Sequence, residues 1–300
     1  MKIKFKSYIR AACHSFSGTV CAGAVMLITF SAQAQNLFVT DQTSGNIYKY
    51  TPGGAQSTFA SGLSYPDGLA FDSSGNLFEA DNGSGNIYKF TPGGAQSTFA
   101  SGLYYPNGPI GLAFNSAGSL FVAGEGSGNI YEYTPSGVQS IFASGLNADA
   151  LAFNSAGDLF EGDYSGNIYE FTPAGVRTTF ASGLSYSYGL AFNSAGDLFD
   201  ADGGSGNIYE FTSGGARTTF ASGLSNPEGL AFDNAGNLFE ADEQSGNIYE
   251  FAPVGARTTF ASGLTNPVGL VFQPVPEPSA LGLLAVGVTA LLVRRRKRNA

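Results

Sequence analysis

The sequence predicts an all-β chain folded as a six-bladed β-propeller with four strands in each blade. Three observations predict it. Ser44-Gly45-Asn46-Ile47-Tyr48 recurs as Ser84–Tyr88, Ser127–Tyr131, Ser165–Tyr169, Ser205–Tyr209 and Ser245–Tyr249, at spacings of 40, 43, 38, 40 and 40 residues, and a period of this size marks a repeat architecture. Each repeat breaks into four short runs of aromatic and β-branched residues bounded by Gly, Pro, Asn or Asp, with no 3.6-residue amphipathic period. The chain also enters the array at one phase of the repeat and leaves it at the complementary phase.

Residues 66–103 show one repeat in full. Gly68-Leu69-Ala70-Phe71 forms run a, Asn76–Asp81 run b, Asn86–Thr91 run c and Ala95–Ala100 run d, with Asp72–Gly75, Asn82–Gly85 and Pro92–Gly94 as turns. Four such runs in sequence order read as an antiparallel meander. Run a is expected nearest the axis, because glycine opens it at Gly68, Gly111, Gly189, Gly229 and Gly269, with Ala150 the exception. The array begins with run b at Asn36–Asp41 and ends with run a at Gly269–Phe272. The last run a therefore completes a sheet with the first b, c and d, and the ring closes with no free inner edge. A linear solenoid is the other architecture of this period, but it calls for distinct capping repeats, and the copies here are uniform.

The two ends carry addresses. Lys2, Lys4, Lys6 and Arg10 precede an apolar run, Thr19–Phe30, and then Ala32-Gln33-Ala34. That order of basic, apolar and small residues predicts a secretory signal peptide over residues 1–34, cleaved after Ala34. At the other end, Val275-Pro276-Glu277-Pro278-Ser279 leads into apolar Ala280–Val293 and then Arg294-Arg295-Arg296-Lys297-Arg298. Basic residues stay cytoplasmic, so the body of the protein lies outside the membrane. With all three parts in order, residues 274–300 resemble the PEP-CTERM sorting signal. The resemblance implies transient membrane insertion through a C-terminal transmembrane helix and processing by an exosortase near Pro276, Glu277 and Pro278. It also implies a Gram-negative, exopolysaccharide-making host.

Removal of both signals takes away the only histidine, His14, and both cysteines, Cys13 and Cys21. Residues 35–275 can therefore hold no disulfide, no Cys/His zinc site and no Ser-His-Asp or Cys-His catalytic pair. Any metal would need oxygen ligands, which points to Ca²⁺ or Mg²⁺. Five basic residues remain (Lys49, Lys89, Arg177, Arg217 and Arg257) against 22 acids. Such a surface repels nucleic acid and attracts cations and basic partners.

The repeat Pro66-Asp67-Gly68-Leu69-Ala70-Phe71-Asp72, followed by Gly75-Asn76-Leu77-Phe78-Glu79-Ala80-Asp81, is similar to the NHL repeat and to the wider six-bladed group that includes SMP-30-like lactonases. Residues 35–273 form the predicted propeller. In that group, Asp-Gly and Asn-Gly at this motif position contribute to a central divalent-metal site. The resemblance thus nominates Asp67, Asn107, Asp149 and Glu228 as Ca²⁺ ligands at the channel mouth. Asp-Gly ahead of a strand is also ordinary turn chemistry, and both readings stand. The residues before run a are Asp67, Asn107 or Ile110, Asp149, Tyr188, Glu228 and Val268, Asn107 and Ile110 being alternatives because of an insertion at Pro109-Ile110-Gly111.

Other differences between copies read as structure. Glu170, Glu210 and Glu250 in run c are expected to pair across the hairpin with Arg177, Arg217 and Arg257 in run d. Asp41, Asp81, Asp163, Asp202 and Asp242, which end run b, are expected to hold turns. The sequence thus points to an exported cell-surface or exopolysaccharide-matrix protein whose propeller is a non-catalytic binding or scaffold module. Its expected ligand is an extracellular polysaccharide or a cationic group. A Ca²⁺-dependent lactonase using the channel-mouth acids is the alternative.

Overall fold

A computed structural model describes residues 35–103 and 108–275 of the protein. The expected cleavage position at Ala34, the sorting residues Pro276, Glu277 and Pro278, the expected C-terminal transmembrane helix and Asn107 lie outside the described residues. Among the described residues there are twenty-four strands and no helix, hence none long and apolar enough to cross a membrane. The strands form six four-stranded antiparallel sheets. Blade 2 shows the plan: strand a Pro66–Phe71, b Leu77–Asp81, c Asn86–Phe90 and d Gln96–Ala100, paired in that order.

Blade 1 closes the ring as the sequence predicts. Its inner strand is Pro267–Phe272, from the end of the array, and its other three are Leu37–Asp41, Asn46–Tyr50 and Gln56–Ser61. Leu37 sits opposite Phe272 and Val39 opposite Leu270. The seam is bonded along its length. Gln273 N–H donates to the Asn36 carbonyl (2.9 Å), and Thr265 N–H donates to Asp41 Oδ2 (2.7 Å). At the axis Gly269 N–H donates to Thr40 Oγ1 (2.8 Å), whose hydroxyl donates to the Asp67 carbonyl of blade 2 (2.7 Å).

The five-residue repeat is now legible atom by atom. In blade 1, Ser44 N–H donates to Asp41 Oδ1 (3.1 Å), fixing the b–c turn. Gly45 adopts φ +65°, and its carbonyl accepts Leu63 N–H (3.0 Å) where the chain leaves strand d. A Cβ at Gly45 would collide with the Leu63 carbonyl, so both conformation and space demand glycine. Asn46 Nδ2 donates to the Tyr48 hydroxyl (3.0 Å), and Ile47 is fully buried. The acids that end strand b hold two loops each. Asp81 accepts Ser84 N–H from its own turn (3.0 Å) and Ser64 N–H from the loop entering its blade (2.7 Å), and Asp202 and Asp242 repeat the arrangement. Blade 4 has the shorter b–c loop, and there Asp163 instead accepts Asn167 N–H (2.8 Å).

The core lies between blades. Ala70, Phe78, Ala80 and Ile87 of blade 2 pack on Leu112, Leu120 and Val122 of blade 3, and the same layer recurs around the ring. The expected Glu–Arg pairs across the c–d hairpin do not form. The turn at 172–176 places Arg177 opposite Phe171 and Glu170 opposite Thr178, so Glu170 and Arg177 face opposite sides of the sheet. Arg177 instead lies over the Tyr169 ring, 5.0 Å from its centroid, and Arg217 and Arg257 lie likewise over Tyr209 and Tyr249.

One core position runs against expectation. The third residue of strand b is Val39, Glu79, Val122, Glu161, Asp200 or Glu240, and all six are fully buried. Glu79 lies opposite Leu69 and Tyr88, which pack against Phe38 and Ile47 of blade 1, so its carboxyl enters that apolar interface. Neither oxygen of Glu79, Glu161 or Glu240 has a hydrogen-bond partner within the protein, and Asp200 is met on one side by the Ser187 hydroxyl. Burial first, and then the neighbouring Asp163, pushes Glu161 up to about 8. Burial pushes Asp200 up to about 8, against the Ser187 bond, and raises Glu79 and Glu240 well above the carboxylate range. Glu161 and Asp200 are thereby held mostly protonated in the fold at pH 7, and Glu79 and Glu240 are shifted in the same direction.

A raised folded-state pKa means that folding takes up protons between the unfolded value near 4 and the folded value near 8. Stability is then fully present below that window and is lost as pH rises through it, by about 1.4 kcal/mol per pH unit for each group. The melting temperature of residues 35–275 should therefore fall from pH 5 to pH 8. Glu161→Val, the residue that two other blades use, should make the fall shallower and raise the melting temperature at pH 8. A profile that is flat, or that rises with pH, would contradict the neutral assignment.

Candidate functional site

Six near-identical strands a meet at the axis, and the residue that opens each onto the mouth is where they differ. The channel is lined by Asp67, Ile110, Asp149, Tyr188, Glu228 and Val268, each followed by Gly or Ala150. The backbones approach so closely that a Cβ on Gly68 would strike the Ile110 carbonyl. The same holds for Gly111 against Asp149, Gly189 against Glu228, Gly229 against Val268 and Gly269 against Asp67. These contacts name each blade's neighbour and trace the closed ring. Blade 3 contributes Ile110 to it, which settles the choice between Ile110 and Asn107 at this ring position.

Carboxylates thus occupy alternate blades, Asp67 in blade 2, Asp149 in blade 4 and Glu228 in blade 6, with Ile110, Tyr188 and Val268 between them. A sixfold scaffold carries a threefold set of acids. The channel volume is about 110 Å³, room for a few waters at about 30 Å³ each. A pocket for a small organic ligand typically has roughly 300–1,000 Å³, so such a molecule would rest on the mouth and not enter the channel.

The b–c and d–a loops add further polar groups above the ring. Gln42 Nε2 donates to Asp67 Oδ2 (3.3 Å). Asn226 Nδ2 donates to Glu228 Oε1 (2.9 Å) and also meets Glu243 Oε2, while Asn266 Nδ2 donates to Glu243 Oε1 (2.9 Å). Three tyrosines form the wall over blades 4 and 5. Tyr186 and Tyr188 stack at 5.9 Å with 10° between their planes, and Tyr164 meets Tyr188 edge-on at 5.6 Å. Tyr65 and Tyr186 are exposed and hold φ of +54° and +81°, a region that non-glycine residues rarely adopt. Backbone strain of this kind concentrates at functional loops.

Electrostatics at the mouth are one-sided. The five basic residues of the propeller all lie on strands c and d, away from the axis. Asp67 is pushed up to about 7 by burial and by Glu125 and Glu243, against the Gln42 hydrogen bond. Burial, then Asp67, raises Asp149 well above the usual range, opposed by a hydrogen bond from the Tyr164 hydroxyl. Burial, then Asp149 and Asp67, raises Glu228. Tyr188 is pushed up to about 12 by burial and the nearby acids. A cation over the mouth would relieve this repulsion and lower all of these values. Among the described residues, no three His, Cys, Asp or Glu side chains converge closely enough to hold one ion. The ring as it stands attracts positive charge without a closed coordination shell.

Of the nominated Asp67, Asn107, Asp149 and Glu228, the structure places Asp67, Asp149 and Glu228 on one ring, and Asn107 lies outside the described residues. The sequence did not nominate Glu125, Glu243, Asn226, Asn266 or the tyrosines as site residues, although a meander puts the divergent b–c and d–a loops that carry Glu125, Tyr164 and Glu243 on one face around the mouth.

A family model for the PEP-CTERM protein-sorting motif matches residues 274–297. A search of curated proteins finds no sequence match. Among solved structures the chain is similar to a chain of a nidogen/laminin complex, with TM-score 0.73 and 18% identity over 81% of this chain and 99% of that one. It is also similar to a structure named as a gluconolactonase (TM-score 0.62, 15% identity, 70% of this chain and 82% of that one). A third is the virginiamycin B lyase of Staphylococcus aureus (TM-score 0.62, 14% identity, 81% and 92%). At these identities the likeness is one of fold.

The mouth titration is directly checkable. Carbon-detected NMR should find Asp67 titrating near pH 7, and Glu125→Gln should move its midpoint down toward the ordinary carboxylate range. A midpoint near 4 in the unaltered protein would contradict the crowding described here. With the sorting motif at one end and the closed ring described above, the chain is an exported six-bladed propeller, anchored in the membrane and then cleaved through processing by an exosortase.

Proposed function

We propose that the protein is a non-catalytic binding module displayed at the cell surface or in the exopolysaccharide matrix of a Gram-negative bacterium, and that its channel mouth takes a cation or the cationic group of a ligand. The observation that carries this reading is the threefold ring of Asp67, Asp149 and Glu228 over a channel of about 110 Å³, with no basic residue beside it. On binding, these three carboxylates supply the charge, and Asn107 is proposed as a fourth ligand. Ca²⁺ fits their oxygen chemistry. Gln42, Asn226 and the tyrosine wall orient what sits above.

A second reading, a Ca²⁺-dependent lactonase, is favoured by the fold likeness to the gluconolactonase structure and by the carboxylates on the ring, one of which would serve as general base. Two features support the binding module over it. The channel is too narrow for a sugar lactone, and the propeller holds no histidine. One of the lyase structures is a catalytically inactive histidine-to-alanine variant bound to quinupristin, so this chain has no counterpart to that side chain.

All strand pairing lies within 37–272, so residues 35–275 form a self-contained fold for the test. Calorimetric titration with Ca²⁺ should show one binding event per ring and a raised melting temperature. The Asp149→Asn/Glu228→Gln pair should weaken binding at least tenfold while the fold survives. Weak multi-site binding that fades with salt would reduce the mouth to a diffuse acidic surface. Robust turnover of a lactone by the purified segment would overturn the non-catalytic reading in favour of the hydrolase.

A further inference from the structure

Away from the mouth, on the side of the a–b and c–d turns, each seam between blades is built on three phenylalanines. Strand b of one blade supplies the central ring, strand d of that blade a second, and strand a of the next blade the third. Phe78 meets Phe99 and Phe114 edge-on at 5.0 Å each, and Phe199 meets Phe220 and Phe232 at 5.1 and 5.0 Å. The trio recurs at all six seams, for example as Phe121, Phe142 and Phe153. The central ring is buried, and the two flanking rings stay partly exposed.

Over two of these trios, half a turn of the ring apart, the surface opens into clefts of about 500 and 630 Å³. Their walls are hydroxyl- and amide-bearing turns: Ser74 and Ser116 in the first, Ser194 and Asn234 in the second, with the prolines Pro135 and Pro253 at the lip. The charges lining the clefts differ: Lys89 lies 5.2 Å over the Phe78 ring and 3.8 Å from Asp72 in the first, and Glu210, at the place equivalent to Lys89, and Asp233 stand in the second. Besides an aspartate, the clefts share partly exposed aromatic rings next to a rim of small hydrogen-bonding groups.

We propose that the inter-blade clefts are repeated subsites for neutral hexopyranose units of a polysaccharide, the C–H face of the sugar lying on the phenylalanine trio and its hydroxyls bonding the serine- and asparagine-bearing turns. Aromatic faces beside fixed polar groups match an amphipathic ring of this kind. The volumes fall in the range of ligand pockets, roughly 300–1,000 Å³. The first cleft's charges pair with each other and the second's are both acidic, so no charged repeating unit suits both. Repetition around one rigid ring makes the protein multivalent, so individually weak sites add to a strong hold on a polymer. The inference takes from the functional reading only that the exported protein meets polysaccharide outside the cell, and it uses no residue of the mouth.

Affinity electrophoresis and calorimetry of residues 35–275 with dextran, mannan and galactan, each beside its short oligosaccharide, test it. Retardation by at least one polymer is expected, with apparent affinity at least tenfold above that of its oligosaccharide and unchanged between 0.15 M and 1 M salt. Ser116→Arg and Asn234→Arg each fill a cleft from an exposed turn, so the fold is kept. Together they should reduce polymer binding at least tenfold. Asp149→Asn should leave polymer binding unchanged, which separates this result from any failure at the mouth. The proposal is overturned if none of the three polymers binds, if binding disappears in high salt, or if it survives the double cleft variant.

Discussion

Everything in this molecule depends on bringing six inner strands to one axis. That approach is possible because glycine follows the mouth residue in five blades, and its bare backbone lies against the carbonyl of the next blade's mouth residue. The same constraint fixes how the chain begins and ends. A ring of whole blades would leave its last seam to side chains alone. Here the inner strand of blade 1 comes from the far end of the array, so the seam is a ladder of main-chain hydrogen bonds reinforced by Thr40 and Asp41. No inner edge is left for another chain to extend.

Closure also explains where the chain is free to vary. Strands b and d are held to strand a of the next blade by the phenylalanine trios, whose edge-to-face pairs contribute about 0.5–1.5 kcal/mol each beyond area burial. Their sequence is accordingly uniform. Side chains that open onto the mouth meet solvent and one another, and there the copies diverge into acid, tyrosine and aliphatic. The protein thus presents two kinds of surface: one mouth with a threefold set of acids, and seams that repeat the same phenylalanine packing. The buried acids of strand b stand apart from both. Val39 and Val122 show that the position accepts an aliphatic residue, so Glu79, Glu161, Asp200 and Glu240 carry a desolvation cost that the fold does not require. The structure offers no account of why four blades keep them.

Much of the fold was legible because a repeat multiplies weak signals. One Asn76–Asp81 run is an ambiguous strand, but six copies in phase with the same turns define a blade, and the starting phase defines the closure. The misses are specific. The expected Glu170–Arg177 pair fails by one residue of register, because the 172–176 turn sets Phe171 and not Glu170 opposite Arg177. Choosing Ile110 over Asn107 for the ring required knowing which residue faces the Gly68 backbone. Glu79 looks like the polar partner of an alternating strand until two blades are packed around it. The clefts unite rings from adjacent blades, such as Phe78 and Phe114, that are remote in sequence. Strand order within a blade could be read from the chain, whereas exact register and the contacts between blades could not.

The central claim is that the propeller is one closed unit whose parts stand or fall together at the axis. Native-state hydrogen exchange on residues 35–275, compared with the same segment ending at residue 264, tests it most directly. The shorter chain lacks only the last inner strand, Pro267–Phe272, and the residues around it. The account predicts that its loss strips slow-exchange protection from all six blades. Retained protection in blades 3 to 5 would contradict it and would make the protein a linear array of independent sheets.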